Sequence, residues 1–114
     1  KLALAYKLQG DINNAIEYLR KTINIAPTYT EAYYTLAKTY HNSYNFNNSI
    51  KYYKKTIELK PDYYEAYYNL GIIYYNLGKN EFVNNIIVKL LKVQQKDYAN
   101  SLLELIKKEK IGGD

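Results

Sequence analysis

Two prolines, Pro27 and Pro61, stand 34 residues apart, and each closes nearly the same text. LALAYKLQGDINNAIEYLRKTINIAP leads to the first and TEAYYTLAKTYHNSYNFNNSIKYYKKTIELKP to the second; DYYEAYYNLGIIYYNLGKN then opens a third copy. A fixed period of this length means stacked supersecondary units, none able to bury its apolar face alone, rather than a globule around one core. It also turns the functional question from a reaction to a surface, because such arrays work mainly as binding scaffolds.

Within each copy the apolar residues recur every three or four positions, the signature of an amphipathic helix. Tyr29, Ala32, Tyr33, Leu36, Ala37 and Tyr40 form one such face; Phe46, Ile50, Tyr53 and Ile57 form the next; Tyr63, Ala66, Tyr67, Leu70, Tyr74 and Leu77 repeat the first. Thr28 with Glu31 and Asp62 with Glu65 have capping-box spacing, and Asp11 and Asn45 suit N-caps. Gly10 and Gly78 suit left-handed helix ends. Pro27 and Pro61 push the preceding residue out of the helical region. These signals predict helix pairs at Leu2–Gln9 with Ile12–Ile25, Tyr29–Tyr44 with Phe46–Leu59, and Tyr63–Leu77 with Glu81–Gln95, then a last helix over Tyr98–Glu109. Gaps this short demand antiparallel neighbours.

The pattern resembles the tetratricopeptide repeat. Its aromatic, Leu-small, Tyr series is matched by Tyr33, Leu36, Ala37 and Tyr40, then by Tyr67, Leu70, Gly71 and Tyr74. Second helices carry Ser49, Tyr53 and Pro61 in the middle unit and Val83 and Ile87 in the third; the first unit keeps Leu2, Ala3, Tyr6, Ala15, Leu19 and Pro27. The departures are Tyr in place of Trp, Tyr44 where the other units have Gly, Val83 in place of a small residue and Gln95 in place of Pro. The resemblance implies an all-α, α-α superhelix (a tetratricopeptide-repeat solenoid) of about three helix–turn–helix repeats plus a C-terminal capping helix. We place a partial first repeat at 1–29, a second at 30–63, a third, degenerate one at 64–97, the cap at 98–110 and a tail at 111–114, all in one domain. Lys1 falls inside a helical pattern, which reads as an upstream cut. Leu102, Leu103 and Ile106, followed by Lys107, Lys108, Glu109 and Lys110, read as a terminal cap with a polar outer face.

Composition narrows the chemistry. The 114 residues contain no cysteine, so disulfides, zinc–thiolate sites and thiol chemistry are excluded. No apolar run approaches the ~18 residues that span a bilayer, and no membrane association is expected. The compartment stays open, with the cytoplasm favoured. His41, the single histidine, has no carboxylate or second histidine at i±4 and reads as an ordinary groove or surface residue. With no Gly-rich phosphate loop and no metal-ligand spacing, neither an enzyme nor a cofactor is expected. The net charge of +5 is carried almost wholly by Lys, with Arg20 the only arginine. Nucleic acid is therefore an unfavoured partner beside a protein or peptide. Lys51, Lys54 and Lys55 form a basic strip on a second helix, read as a solvated outer face rather than a phosphate site.

In the family the resemblance points to, first helices line a concave groove that takes a peptide or partner segment. The matching positions here are Lys7 and Leu8; Glu31, Tyr34, Lys38, His41 and Asn42; and Glu65, Tyr68, Asn69, Ile72, Tyr75 and Asn76. Adjacent helical residues lie about 100° apart, so Tyr34 and Tyr68 are expected to stay exposed when Tyr33 and Tyr67 turn inward, offering contact area at low rotamer cost. Chaperone-binding members hold a C-terminal carboxylate with Lys and Asn. The matching places here hold Leu4, Thr35, Glu65 and Asn69, which argues against that clamp. The alternative is self-association through repeat edges, at Leu2, Leu4 and Tyr6.

Overall fold

Six helices joined by three- or four-residue turns form the computed structural model, which describes the backbone of residues 2–112 and the side chains of residues 10–108. They are α1 (Leu2–Ile25), α2 (Thr30–Asn42), α3 (Phe46–Leu59), α4 (Tyr64–Asn76), α5 (Asn80–Lys92) and α6 (Lys96–Gly112), with no strand among the described residues. They group into two compact units, Lys1–Lys60 with α1 to α3 and Pro61–Asp114 with α4 to α6.

Four of these helices reproduce the expected pairs, and three turns show why. Tyr44, Gly78 and Gln94 have φ of 63°, 74° and 63°, the left-handed region, one after each of α2, α4 and α5. Each turn closes with the same two backbone bonds. Asn45 N–H donates to Tyr40 O (2.9 Å) and Tyr44 N–H to His41 O (3.0 Å); Lys79 and Gly78 do so to Tyr74 and Tyr75; Gln95 and Gln94 to Leu90 and Leu91. This is the Schellman arrangement, which satisfies orphan carbonyls and ends a helix abruptly. Glycine is free to adopt it; Tyr44 and Gln94 do so at a cost of about 1–2 kcal/mol.

In the first unit α2 packs against both α1 and α3. Ala32, Leu36, Ala37 and Tyr40 meet Ser49, Tyr53 and Thr56, all buried. Ser49 Oγ donates to Ala37 O across the helix pair at 2.8 Å, so the small residue on α3 also supplies a bond. Tyr33 Oη donates to Pro27 O at 2.8 Å, tying the repeat-closing proline to the next helix. Tyr40 stacks on Tyr52 with centroids 5.8 Å apart. A core this rich in hydroxyls remains satisfied: no buried side-chain N or O lacks a partner among the described residues.

In the second unit α5 packs against α4 and α6, and α4 also meets α6. Ala66, Leu70, Ile73 and Tyr74 face Val83, Ile86, Ile87 and Leu90, with Ala99 and Leu102 completing the core. Val83 is fully buried despite standing where a small residue was expected. The close approach is at Gly71, where a Cβ would lie 2.9 Å from Leu102 Cδ1 and 3.6 Å from Ile86 Cγ2. The expected small-residue role therefore serves α6 as well as α5.

Three expectations are corrected. Gly10 and Asp11 do not separate two helices, because α1 runs unbroken through both. Glycine permits a left-handed turn but does not compel one, and in a helix it costs only about 1 kcal/mol relative to alanine. The capping boxes do not form: Tyr29 and Tyr63 occupy the N-cap positions, without a side-chain cap bond, one residue beyond Thr28 and Asp62. Asn45 does cap, accepting from Asn48 N–H at 3.5 Å, the long end of the range. Finally, Tyr33 and Tyr34 are both buried. Because α2 has a neighbour on each side, its buried residues from Ala32 to Tyr34 span about 200° of helix circumference, wide enough for both members of the doublet.

Urea unfolding followed by circular dichroism tests these turns. Gly78→Ala should lower stability by about 1 kcal/mol and Tyr44→Gly should raise it by about 0.5–1 kcal/mol, with unchanged m-values. Gly71→Val, which forces the buried Leu102 aside, should cost about 1–3 kcal/mol.

Candidate functional site

The first unit presents a face on α2 and the second a face on α4, and the two are described separately. On α2, Glu31, Lys38 and Asn42 are exposed and His41 is half-buried. Tyr34 is the correction to the expected surface. It is only 7% exposed, its ring 5.8 Å from that of Tyr53 on α3. It serves as the bed of the face rather than as a free contact: Lys38 Nζ lies 5.6 Å from the Tyr34 ring centroid, within cation–π range.

His41 continues this bed. Its ring meets Tyr53 edge-on at 6.2 Å and Phe46 edge-on at 5.9 Å; Phe46 in turn meets Tyr44 at 6.2 Å. Five rings thus run in contact from Tyr34 through Tyr53, His41 and Phe46 to Tyr44 at the helix turn. Tyr44 ends the series 81% exposed, on a backbone held in the left-handed region. Sequence reasoning missed Tyr44, Phe46 and Tyr53 as parts of this face. The signal was present in the i, i+7 spacing of Phe46 and Tyr53 on α3, which puts both toward α2. The Nδ1 atom of His41 is 3.5 Å from Tyr53 Oη, at the outer limit of a hydrogen bond. Desolvation by burial lowers the pKa of His41 below its ordinary 6.5, which favours the neutral ring.

On α4, Glu65 and Asn76 are exposed, while Tyr68, Asn69, Ile72 and Tyr75 are half-buried. Tyr68 lies 5.1 Å from Tyr98 of α6, a contact the sequence reading did not anticipate. Tyr67 and Tyr68 are both half-buried, so the expected contrast between an inward Tyr67 and an exposed Tyr68 does not hold on α4. Lys7 and Leu8, together with Leu2, Leu4 and Tyr6 of the expected repeat edge, lie outside the residues whose side chains are described.

Among the described residues, no three His, Cys, Asp or Glu side chains converge as metal ligands. No helix there is long and apolar enough to cross a membrane. What the α2 face offers is one ammonium group over an aromatic ring, an imidazole edge-on to two more and an exposed amide; the α4 face offers aromatic, aliphatic and amide groups.

The chain matches the family model described as "TPR repeat" over residues 45–78, one full period, and another described as "Tetratricopeptide repeat" over residues 1–29. Two solved structures are similar across 96% of this chain at 26% identity: "Crystal structure of MamA", with a TM-score of 0.65, and "Crystal structure of MamA protein", with 0.62. The chain spans 57% and 53% of those two proteins' lengths. No curated protein matches it.

The lowered pKa of His41 makes a pH prediction. Below pH 6.5 the unfolded chain binds the proton more readily than the folded one, so stability is full above that value and declines as pH falls through it. The urea midpoint should drop between about pH 7.5 and pH 5.5 in the parent protein, and His41→Gln should flatten that decline.

Proposed function

This chain is a tetratricopeptide repeat protein, and from that premise we propose that the α2 face around Lys38, His41 and Asn42 captures a peptide segment of a partner protein. Repeats of this family generally act as non-catalytic scaffolds for protein–protein interaction and assembly. In the second unit, Tyr68, Ile72, Tyr75 and Asn76 of α4 form the corresponding face. The helix pairs assigned to 30–63 and 64–97 act as repeats, each contributing its first helix to recognition.

The observation that carries this reading is the five-ring bed beneath the α2 face. Packed aromatic groups give contact area at small entropic cost, while Lys38 over Tyr34 and the exposed Asn42 supply adaptable polar contacts. Tyr44 strengthens the case. Its ring, 81% exposed and 6.2 Å from that of Phe46, carries the bed past the end of α2 and into solvent.

A peptide-library selection against the protein, followed by calorimetry on variants, provides the test. For a selected peptide, Lys38→Ala with Asn42→Ala should weaken binding by about 5–30-fold, the range of one or two contact residues. Tyr44→Gly should weaken it while stabilising the fold. Affinity unchanged by both variants would remove the α2 face from the function. Tyr34→Ala is unsuitable, because it opens the core.

Self-association is a second reading, favoured by one observation. Tyr18 and Ile25 are 71% and 85% exposed and seven residues apart, so they share a stripe of α1. Light scattering at rising concentration should show a dimer that Tyr18→Glu with Ile25→Glu abolishes; a monomer throughout sinks this reading.

A further inference from the structure

The excess positive charge of this chain belongs to one of its two units. Residues 1–60 hold nine Lys or Arg against four Asp or Glu, whereas residues 61–114 hold seven against seven. All of the +5 therefore lies in the first unit, and four of its nine basic residues, Lys51, Lys54, Lys55 and Lys60, fall within ten positions in and just after α3.

The structure gathers three of these lysines around a depression of about 380 Å³ lined by Tyr33, Lys51, Tyr52, Lys54, Lys55 and Glu58. Its floor is ordered. Tyr52 is stacked on Tyr40 at an interplanar angle of 7° and lies 6.4 Å from Tyr33, whose hydroxyl is bonded to Pro27 O. Its walls are cationic. Lys51 Nζ stands 5.3 Å from the Tyr52 ring centroid and Lys55 Nζ 6.0 Å from that of Tyr33, so the rings hold both ammonium groups close to the depression. Positions i, i+3 and i+4 place the three lysines side by side, and like charges so spaced repel. The only ion pair in the set, Lys55 with Glu58 at 3.6 Å, relieves part of that; Lys51 and Lys54 make none among the described residues. An anionic occupant would relieve the rest.

We propose that this face of α3 is a second docking surface, separate from the α2 face, that takes an acidic segment of a partner protein. Carboxylates of the segment meet Lys51, Lys54 and Lys55, and an apolar side chain beside them lies on Tyr52. Protein is favoured over nucleic acid for two reasons. The lysines span a single helical turn, too short a track for a phosphate backbone, and Glu58 stands in the wall where a continuous polyanion would meet it. The unit's net positive charge, concentrated at α3, adds steering of an acidic partner toward this side.

Fluorescence anisotropy of a labelled Glu-rich peptide with one central leucine, beside labelled oligo-dT, tests the assignment on the full chain. The peptide should bind saturably, and its affinity should fall about 10-fold from 0.05 to 0.3 M salt. Lys51→Gln with Lys54→Gln should weaken it at least fivefold while the circular dichroism spectrum stays unchanged, and Lys107→Gln with Lys108→Gln on α6 should leave it intact. Absence of saturable binding, or equal losses from the α3 and α6 pairs, would overturn the docking surface. Tighter binding of oligo-dT than of the peptide would overturn the choice of partner.

Discussion

A single residue in the left-handed region, repeated after α2, α4 and α5, is the constraint from which the rest of this molecule follows. It reverses the chain within three residues and delivers the next helix antiparallel to the last. Two amphipathic faces then meet without a long loop to order, which keeps the entropic cost of the pair small. α1 shows the contrary case. Gly10 does not take the left-handed conformation there, and the chain continues as one helix of 24 residues. One backbone torsion separates a helical hairpin from a single rod.

Once the helices are paired, tyrosine carries much of the packing and underlies the α2 face. Tyr53 is completely buried yet touches Tyr34 and His41, which underlie the α2 face. A change in the core is thus felt on the surface within one side chain. The arrangement suits a scaffold, because dense packing holds contact groups in place before a partner arrives. It also explains the hydroxyl bookkeeping: Tyr33 to Pro27 and Ser49 to Ala37 keep a polar-rich core free of unpaired groups.

The two units differ in charge and in side-chain chemistry. The first carries the net charge, the extended ring series and the lysine-walled depression. The second has no net charge and a core mostly of aliphatic residues around Tyr74, with Gly71 giving Leu102 room at the junction of α4 and α6. The repeats differ this much in surface chemistry although each folds by the same rules.

Period, helix content and most helix boundaries were legible in the sequence, because they depend on local spacing: the 34-residue repeat, the three-and-four apolar rhythm, and the prolines that end α1 and α3. Gly78 was legible as a turn for the same reason. Tyr44 and Gln94 were not, since neither residue prefers a positive φ. The burial of Tyr34 was hidden because a one-helix projection knows nothing of a second neighbour, and α2 has two. The pairing of Tyr68 with Tyr98 joins residues 30 apart in sequence, which no periodicity reports. The sequence alone thus determined that this is a helical repeat with tyrosine-rich faces. Only the tertiary structure decided which tyrosines are floor and which are surface, because burial is set by how many helices surround a residue and not by where it falls on its own helix.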